Sequence, residues 1–314
     1  MDDDDSFLLV INPQAGSGRA GRHRDEIERA LRGAGVGRFE TALTGGPGDA
    51  TRIVRDALRG GVGGIAAVGG DGTMNEVVNG FIDEEGAPLP TEAWFGPLPF
   101  ATGGDFCRGL GVPRGPRAMA EHLAARRPRP IDVGWIRYLD HEGREAQRAF
   151  VNIASFGMGG LVDLFTEAGP KWLGGRLAFL VATLRAMARY RQPEVRVRVD
   201  ERSPRTVKIV NVAVANGRFF GGGMQIAARA ELDDGLFDIV SAESMSVPRQ
   251  VALLPALYRG AVEGRAGVHC SRGQIVHAET LDSTVPVYLD VDGEPLGKLP
   301  ATFSVLPGAV LLRA

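Results

Sequence analysis

A short apolar segment that ends in a glycine-rich turn constrains the fold more than any other feature of this sequence. Residues 65–68 are continuously apolar, and the turn Gly69-Gly70-Asp71-Gly72-Thr73 follows them directly, before a helix-compatible stretch. Successive glycines allow backbone N–H groups to approach a phosphate closely, and the N-terminus of the following helix adds partial positive charge. The pattern therefore predicts a buried strand, a phosphate-binding turn and a helix, in that order.

Three side chains in and after this turn admit more than one role. Thr73 and Glu76 fit a capping box, in which each side chain satisfies a free backbone N–H at the helix start. Asp71 is harder to explain as a turn residue, because an acid opposes phosphate binding unless a metal or a proton transfer compensates. We therefore predict a catalytic or metal-linked Asp71, while Glu76 is equally well explained as a cap.

Two further glycine turns follow strand-like segments in the same half of the chain. Asn12-Pro13-Gln14-Ala15-Gly16-Ser17-Gly18 comes after residues 7–11, and Ala101-Thr102-Gly103-Gly104-Asp105 comes after residues 94–100. In open α/β folds, ligands bind at the edge of the sheet where the carboxyl ends of the strands meet. We therefore expect the three turns to cluster there, with Asp71 and Asp105 among them.

The first of these turns also contains a literal GxGxxG motif, at Gly16, Gly18 and Gly21, with Glu40 about 20 residues further on. That spacing is typical of an NAD-dependent oxidoreductase. However, Pro13 ends the strand before the glycines, which makes the turn longer than the motif requires. Short glycine motifs also arise readily in a chain with 44 glycines, so the oxidoreductase is the weaker interpretation.

The character of the sequence changes near residue 130. Before it, apolar strand-like segments alternate with helical stretches, which is typical of a parallel-type sheet flanked by helices. After it, strand-like segments dominate, at residues 131–138, 149–154, 195–199, 207–214, 237–241, 274–278 and 285–290, with helices at 172–191 and 248–262. We predict an α/β domain over residues 1–130 and an antiparallel β-rich domain over residues 131–314.

Charge and cysteine content narrow the class of protein. The chain has 36 Lys and Arg against 38 Asp and Glu, so it lacks the basic excess that is usual in nucleic-acid-binding proteins. Cys107 and Cys270 are far apart and form no metal-binding or redox spacing, which favours a reduced, cytoplasmic protein. No apolar stretch reaches the roughly 20 residues of a transmembrane helix. We expect any contact with lipid to be peripheral, at the membrane surface.

Taken together, the motifs resemble the diacylglycerol kinase catalytic-domain family, in its bacterial lipid kinase and sphingosine-kinase-like branch. The resemblance continues beyond the glycine turns through Asp132-Val133-Gly134, Asn152 with Ser155-Phe156-Gly157, Gly221-Gly222-Gly223-Met224, Leu232-Asp233-Asp234-Gly235-Leu236 and Asp292-Gly293-Glu294. It implies an N-terminal α/β nucleotide-binding domain, a C-terminal antiparallel β-sandwich and an active site in the cleft between them. It also implies transfer of the γ-phosphate of ATP to a hydroxyl of a lipid such as diacylglycerol, ceramide or a sphingoid base.

The resemblance assigns roles to three sets of residues. The nucleotide set is Asn12, Pro13, Gly16, Ser17, Gly18, Thr44, Gly69, Gly70, Asp71, Gly72, Thr73, Asn75, Glu76, Thr102 and Gly103. The Mg²⁺ set is Glu231, Asp234 and the carbonyl of Leu236, with Asp71 and Asp105 linked through water. Phosphoryl transfer also needs an acceptor for the hydroxyl proton. Asp71 competes for this role with Glu294 or its neighbour Asp292, and Asp292-Gly293-Glu294 also fits a hairpin turn.

The sequence departs from the family pattern at two of these places, and other functions stay open. Gly104 stands where the family usually has Asn, and Arg229 stands where it usually has an acid. An NAD kinase-like enzyme with a soluble substrate is the first alternative, and a catalytically weak lipid-binding or regulatory protein is the second. A homodimer is compatible with the sequence. The helices at 172–191 and 248–262 suit either an interfacial or acyl-binding role or packing on the sandwich.

Overall fold

The computed structural model describes residues 6–100, 103–168 and 175–314. The chain forms two compact units: the first runs to Val133 and also includes Leu306–Ala314, and the second is Gly134–Val305. This division differs from a single boundary at residue 130, because the end of the chain returns to the first unit. There, Leu311 and Leu312 pair in parallel with Trp94 and Phe95.

The first unit alternates strands and helices. Its strands are β1 (Ser6–Ile11), β2 (Arg38–Leu43), β3 (Gly64–Gly69) and β4 (Trp94–Pro99), and its helices are α1 (Ala15–Arg22), α2 (Arg24–Gly33), α3 (Asp49–Arg59), α4 (Asp71–Gly80), α5 (Asp105–Gly109) and α6 (Pro116–Ala125). The strand order is β2-β1-β3-β4, and each neighbouring pair is parallel. The end of the last strand of the chain follows β4.

Strand β3 shows why helices are needed on this sheet. All six of its residues are buried, and it lies between β1 and β4. A parallel strand that is apolar on both faces must be covered on both faces. Apolar residues of α2 and α6 pack against alternate residues of β1 and β3, while α3 and α4 contact each other and, through β1 and β3, the sheet.

The second unit is dominated by antiparallel strands. Its elements are β5 (Arg129–Leu139), which begins in the first unit, β6 (Glu145–Phe150), β7 (Ile153–Gly157), α7 (Met158–Glu167), α8 (Gly175–Arg189), β8 (Glu194–Val199), β9 (Arg205–Ala215), β10 (Phe219–Phe220), β11 (Met224–Gln225), β12 (Phe237–Glu243), α9 (Val247–Tyr258), β13 (Val268–Gly273), β14 (Ile275–Thr280), β15 (Tyr288–Val291) and β16 (Glu294–Leu312). One run of strands has the order β13-β12-β9-β7-β15. Strands β8 and β14 extend the sheet from β9 to β16.

A core of aromatic and branched residues lies between these strands. Phe150, Phe156, Phe237 and Phe303 are fully buried and contact one another through their rings. They pack with inward-facing valines and isoleucines of β8, β9, β12 and β14. The alternation of buried and exposed residues along β8 follows from this one-sided packing.

The elements differ from the sequence predictions at several places. The predicted strand over 149–154 is interrupted, since β6 ends at Phe150 and β7 begins at Ile153. Strand β16 was not expected, because its prolines and glycines argue against a long strand. The predicted helix at 172–191 begins outside the described residues, and its described part is α8. Among the described residues, no helix combines the length and apolar character needed to cross a membrane.

Candidate active site

Three glycine turns of the first unit lie side by side where β1, β3 and β4 end. The backbone N–H of Asn12 donates to the carbonyl of Val68 (3.0 Å), and that of Phe100 donates to Gly69 (2.8 Å). On the other side, Thr44 donates its backbone N–H to Ile11 (3.0 Å). The parallel ladders thus continue just past each strand, which aligns the turns at one sheet edge. Thr102 and its neighbour Ala101 lie outside the described residues.

The first turn has an unusual backbone. Gly16, Ser17 and Gly18 have φ values of 60°, 60° and 77°, so three consecutive residues are left-handed. Ser17 carries a Cβ, for which this conformation costs about 1 kcal/mol or more. A Cβ on Gly16 would lie 2.8 Å from the carbonyl oxygen of Phe100. Strain of this kind is concentrated at binding sites and other functional segments.

The first and second turns are joined by side chains. The Asn12 amide donates from Nδ2 to Oγ1 of Thr73 (3.1 Å), and its Oδ1 accepts the backbone N–H of Gln14 (3.0 Å). A Cβ on Gly69 would lie 2.4 Å from the Thr73 side chain, so a glycine is required where the two turns meet. Asn12 and Thr73, two predicted nucleotide contacts, are therefore in direct contact.

The capping box predicted for Thr73 and Glu76 is wrong. Helix α4 begins at Asp71 with Gly70 as its N-cap and no side-chain cap, so Thr73 already lies within the first turn. The Glu76 carboxylate instead accepts the backbone N–H groups of Gly48 (2.9 Å) and Ala50 (3.2 Å), at the start of α3. Glu76 thus caps a neighbouring helix, directly after the Thr44 to Gly48 loop.

Asp71 joins the second turn to the third. Its carboxylate accepts three backbone N–H groups, from Gly104 (3.0 Å), Asp105 (3.1 Å) and Phe106 (3.2 Å), at the start of α5. Burial raises the pKa of Asp71, and the hydrogen bonds from Phe106 and Gly104 oppose that rise. Both carboxylate oxygens are therefore engaged in holding the third turn.

The third turn explains one departure from the family pattern. Gly104 has a φ of 82°, and this left-handed conformation suits glycine best and asparagine next. Asp105 is buried and forms an ion pair with Arg108. Arg114 donates to the carbonyl of Gly103 (3.0 Å). The turn is thus held by an ion pair at Asp105 and by a hydrogen bond at the carbonyl of Gly103.

In the second unit, Asp292 has an anchoring geometry similar to that of Asp71. Its buried carboxylate accepts the backbone N–H groups of Val151 (2.9 Å), Asn152 (3.0 Å) and Ile153 (2.9 Å). These bonds lie at the interruption between β6 and β7 and account for it. Its neighbour Glu294 differs, because its carboxylate forms an ion pair with Arg148 at 2.9 Å.

The predicted Mg²⁺ set consists of two carboxylates, those of Glu231 and Asp234, and the backbone carbonyl of Leu236. Carboxylate and carbonyl oxygens are the ligands that Mg²⁺ prefers. However, Asp234 forms an ion pair with Arg272 and accepts the backbone N–H of Leu236 (3.0 Å), and Glu231 is exposed. Among the described residues, no group of three or more His, Cys, Asp or Glu side chains could hold a metal. The oxygen atoms of Glu231, Asp234 and Leu236 are of the kind that Mg²⁺ prefers, and their assignment as its ligands stays a prediction.

Arginine side chains form ion pairs with the acidic residues in and around the loop from Glu231 to Leu236. The Arg272 guanidinium also lies 3.4 Å from a carboxylate oxygen of Asp238, a side chain whose pKa is raised by burial. Arg229, the second departure from the family pattern, pairs with Glu263 at 3.3 Å. Neither Arg272 nor Arg148 is part of a local sequence motif, because distant strands bring each of them next to its carboxylate.

Comparison with known proteins agrees with this architecture. Residues 6–136 match the family model for the diacylglycerol kinase catalytic domain, and residues 152–314 match the YegS C-terminal NAD kinase beta sandwich-like domain. The chain therefore has a two-domain kinase architecture, with the catalytic domain first and a β-sandwich-like domain second.

Individual relatives cover most of the chain. It is 31% identical over 268 residues to a Chromohalobacter salexigens protein named "Probable lipid kinase YegS-like", an alignment that covers 85% of this chain and 81% of that one. It is 29% identical over 303 residues to the Mycobacterium tuberculosis protein named "Diacylglycerol kinase", with coverages of 96% and 92%. The fold is similar to the crystal structure of a Bacillus anthracis diacylglycerol kinase, with a TM-score of 0.70, 22% identity and coverages of 98% and 96%.

The chain belongs to the diacylglycerol kinase catalytic-domain family. The family assignment made from the sequence motifs is thereby confirmed, and so is the prediction that the chain is a kinase.

Proposed function

We propose that the chain is an ATP-dependent lipid kinase, which transfers the γ-phosphate of ATP to a hydroxyl of diacylglycerol, ceramide or a sphingoid base. The observation that carries the proposal is the joining of three glycine turns at one sheet edge by Asn12 and Asp71. Family membership supports the kinase chemistry. The lipid is met at a membrane surface, by a cytoplasmic protein that is peripheral to it.

The nucleotide phosphates are proposed to bind between the first and second turns. The first backbone N–H groups of α4 have no partner within the helix, and the helix N-terminus is partially positive. Gly16 and Gly18 add backbone that can approach a phosphate closely. Asn12, Thr73 and Glu76 are proposed to hold these loops in the binding geometry, with Thr44, Asn75 and Gly103 near the nucleotide.

The proton acceptor is proposed to be Glu294. Asp71 and Asp292 each accept three backbone hydrogen bonds, and such bonds favour the ionised form without leaving an oxygen directed at a substrate. Glu294 instead has a charged side-chain partner and a side chain that is 35% exposed. Its action on a nucleotide held by the first unit requires the predicted cleft, which stays a prediction. Mg²⁺ likewise stays a prediction from the family, because Asp234 is paired with Arg272.

The test is a transfer assay with purified protein, γ-labelled ATP and Mg²⁺, using diacylglycerol, ceramide, a sphingoid base and NAD as separate acceptors. The proposal expects label in a lipid product. Label only in phosphorylated NAD would establish the soluble-substrate alternative, and no label in any product would favour a lipid-binding or regulatory protein.

A matched pair of variants tests the proton acceptor. Glu294→Gln should lower kcat by about 100-fold or more, since general base catalysis contributes that much. Glu279→Gln removes a glutamate with the same kind of ion pair, to Arg196 at 2.9 Å, and should leave kcat unchanged. Equal rates for the two variants would exclude Glu294 from proton transfer.

A further inference from the structure

Helix α9 (Val247–Tyr258) presents an apolar face to solvent. Val247, Val251 and Tyr258 are 43%, 45% and 56% exposed, and Pro255 is also exposed. These four positions are spaced by three or four residues, so they lie along one face of the helix. The sequence has no charged residue between Arg249 and Arg259. A surface helix normally presents polar side chains to water, so this face is unusual.

The opposite face of α9 packs against the core of the second unit. Gln250 and Ala256 are buried, and Leu253 and Leu257 pack against the buried apolar cluster that includes Val240. The orientation of α9 is therefore set by its inner face. The outward residues are not needed for that packing, and their apolar character calls for another explanation.

Exposed arginines lie near both ends of helix α9, with Arg249 on the side of the helix away from the apolar face. Exposed Arg249, Arg259 and Arg265 donate to backbone carbonyls, those of Ala266 (3.1 Å), Pro255 (3.0 Å) and Ala261 (3.2 Å). Within residues 175–314, the structure gives none of the three an ion pair with a carboxylate. Their charges are therefore available to an external anion.

We propose that the outward face of α9, with Arg249, Arg259 and Arg265, is a docking surface for an anionic phospholipid bilayer. An apolar face on a helix that carries basic side chains at other positions is the pattern of helices that lie in the membrane interface. Anionic lipid headgroups complement guanidinium groups that form no ion pair with a carboxylate within residues 175–314. The surface extends the proposed function, since it would bring a lipid kinase to its substrate.

The test is co-sedimentation of the full chain with vesicles of phosphatidylcholine alone, or of phosphatidylcholine with about 30% of the anionic lipid phosphatidylglycerol. Binding is expected only to the anionic vesicles, and each Arg→Gln change at Arg249 or Arg259 should weaken it about fivefold. Val251→Asp with Tyr258→Asp should weaken it at least about tenfold. Leu281→Asp is the matched control, because Leu281 is 44% exposed in the same unit and should not affect binding.

Three results would overturn the docking surface. The first is wild-type protein that does not bind the anionic vesicles, and the second is an α9 double variant that binds as well as wild type. The third is a wild-type dimer in sedimentation velocity that the same variant converts to a monomer, which would make the face an interface between copies. Circular dichroism and the urea midpoint check that each variant is folded, and Val251→Ser with Tyr258→Ser gives a milder second variant.

Kinase assays separate failure of this proposal from failure of the proposed function. With dioctanoylglycerol in detergent, the α9 variants should match wild type, whereas with substrate in anionic vesicles their rate should fall at least about tenfold. If wild type phosphorylates no lipid in detergent, the kinase proposal fails, while vesicle binding still decides the docking surface.

Discussion

The carboxylate of Asp71 accepts a hydrogen bond from the backbone N–H of Gly104 at 3.0 Å, although the two residues are 33 positions apart. This bond and its two neighbours, from Asp105 and Phe106, tie the turn after β3 to the turn after β4. The negative charge of Asp71 would by itself oppose phosphate binding at this turn. Its carboxylate is instead bound by backbone N–H groups at the start of α5. Asp71 has the geometry of a positioning residue, and its catalytic role stays a prediction.

Replacement of Asp71 separates the two roles. In Asp71→Asn, one oxygen that accepts backbone N–H groups becomes a donor, so the free energy of unfolding should fall by about 2 kcal/mol. Affinity for ATP, measured by titration calorimetry, should fall as well. Asp83→Asn is the control, since Asp83 accepts two backbone N–H groups within its own loop. A kcat loss of about 100-fold with unchanged ATP affinity and stability would show instead that Asp71 takes the proton.

Glu76 should stabilise α3 rather than its own helix. Glu76→Gln leaves one oxygen to accept the two N–H groups at Gly48 and Ala50, and should cost about 1 kcal/mol, as the loss of a helix cap does. Hydrogen exchange should accelerate at these amides and not at the start of α4. Glu121→Gln, which removes an exposed ion pair with Arg117, should cost much less than Glu76→Gln. Faster exchange at the start of α4 would contradict the assignment.

Asp292 should be a major determinant of the stability of the second unit. It has a φ of 52°, which asparagine tolerates, so Asp292→Asn tests the carboxylate without adding backbone strain. A buried N–H is left without its acceptor, and the urea unfolding free energy should fall by about 3 kcal/mol. Asp282→Asn, at an exposed turn where the carboxylate accepts hydrogen bonds from Thr284, should change it much less. Equal losses would show that the three backbone bonds of Asp292 add little.

His277 should make the protein less stable in mild acid. Burial lowers the pKa of His277, and Arg198 and Arg137 lower it further. The folded protein therefore takes up this proton less readily than the unfolded chain. The stability that depends on a neutral His277 is complete above the pKa of the unfolded state, near 6.5. It is lost as the pH falls from that value through the lower pKa of the folded state.

Urea midpoints at pH 7.5 and pH 5.0 measure this loss. The midpoint should drop less in His277→Gln than in wild type, and Arg198→Gln should show an intermediate drop, since one of the two guanidinium groups that oppose protonation is gone. Identical drops in all three proteins would remove His277 from the acid response.

The two cysteines should differ in reactivity. Cys107 is buried, and burial raises the pKa of its thiol, with Asp71 raising it further. Cys270 is exposed, so a thiol reagent at pH 8 should titrate one group in native protein and two in guanidinium chloride. The Cys270→Ser variant should have no reactive thiol in the native protein and one in guanidinium chloride. Two reactive thiols in the native wild-type protein would show that α5 opens readily.

The elements that the sequence predicted well are those with uninterrupted local signals. Strands β1 and β3 contain continuous apolar runs, and all six residues of β4 are buried. The observed bounds of the three strands lie within one residue of the predicted ones. Strand β16 was not predicted, because Pro295, Gly297 and Pro300 interrupt its apolar pattern. All three residues nevertheless lie within the observed strand.

The side-chain roles were harder to predict, because they depend on partners far away in the sequence. Glu76 and Gly48 are 28 positions apart, and Asp292 and Val151 are 141 apart. A capping box is a rule about residues three positions apart, so it favoured a local partner for Glu76. The resemblance to a kinase family identified which residues matter, but hydrogen-bond geometry was needed to distinguish a carboxylate that anchors a turn from one that faces a substrate.

The path of β16 has a consequence for how the protein is made. Its first part pairs with β15, and Leu311 and Leu312 near its end pair with β4. During synthesis, β1 to β4 leave the ribosome long before that strand exists, and this edge of β4 stays unpaired until Leu311 and Leu312 have been made. An open edge of this kind can pair with other chains. The first folded unit of the nascent polypeptide therefore stays incomplete until the last part of β16 has been made and has paired with β4.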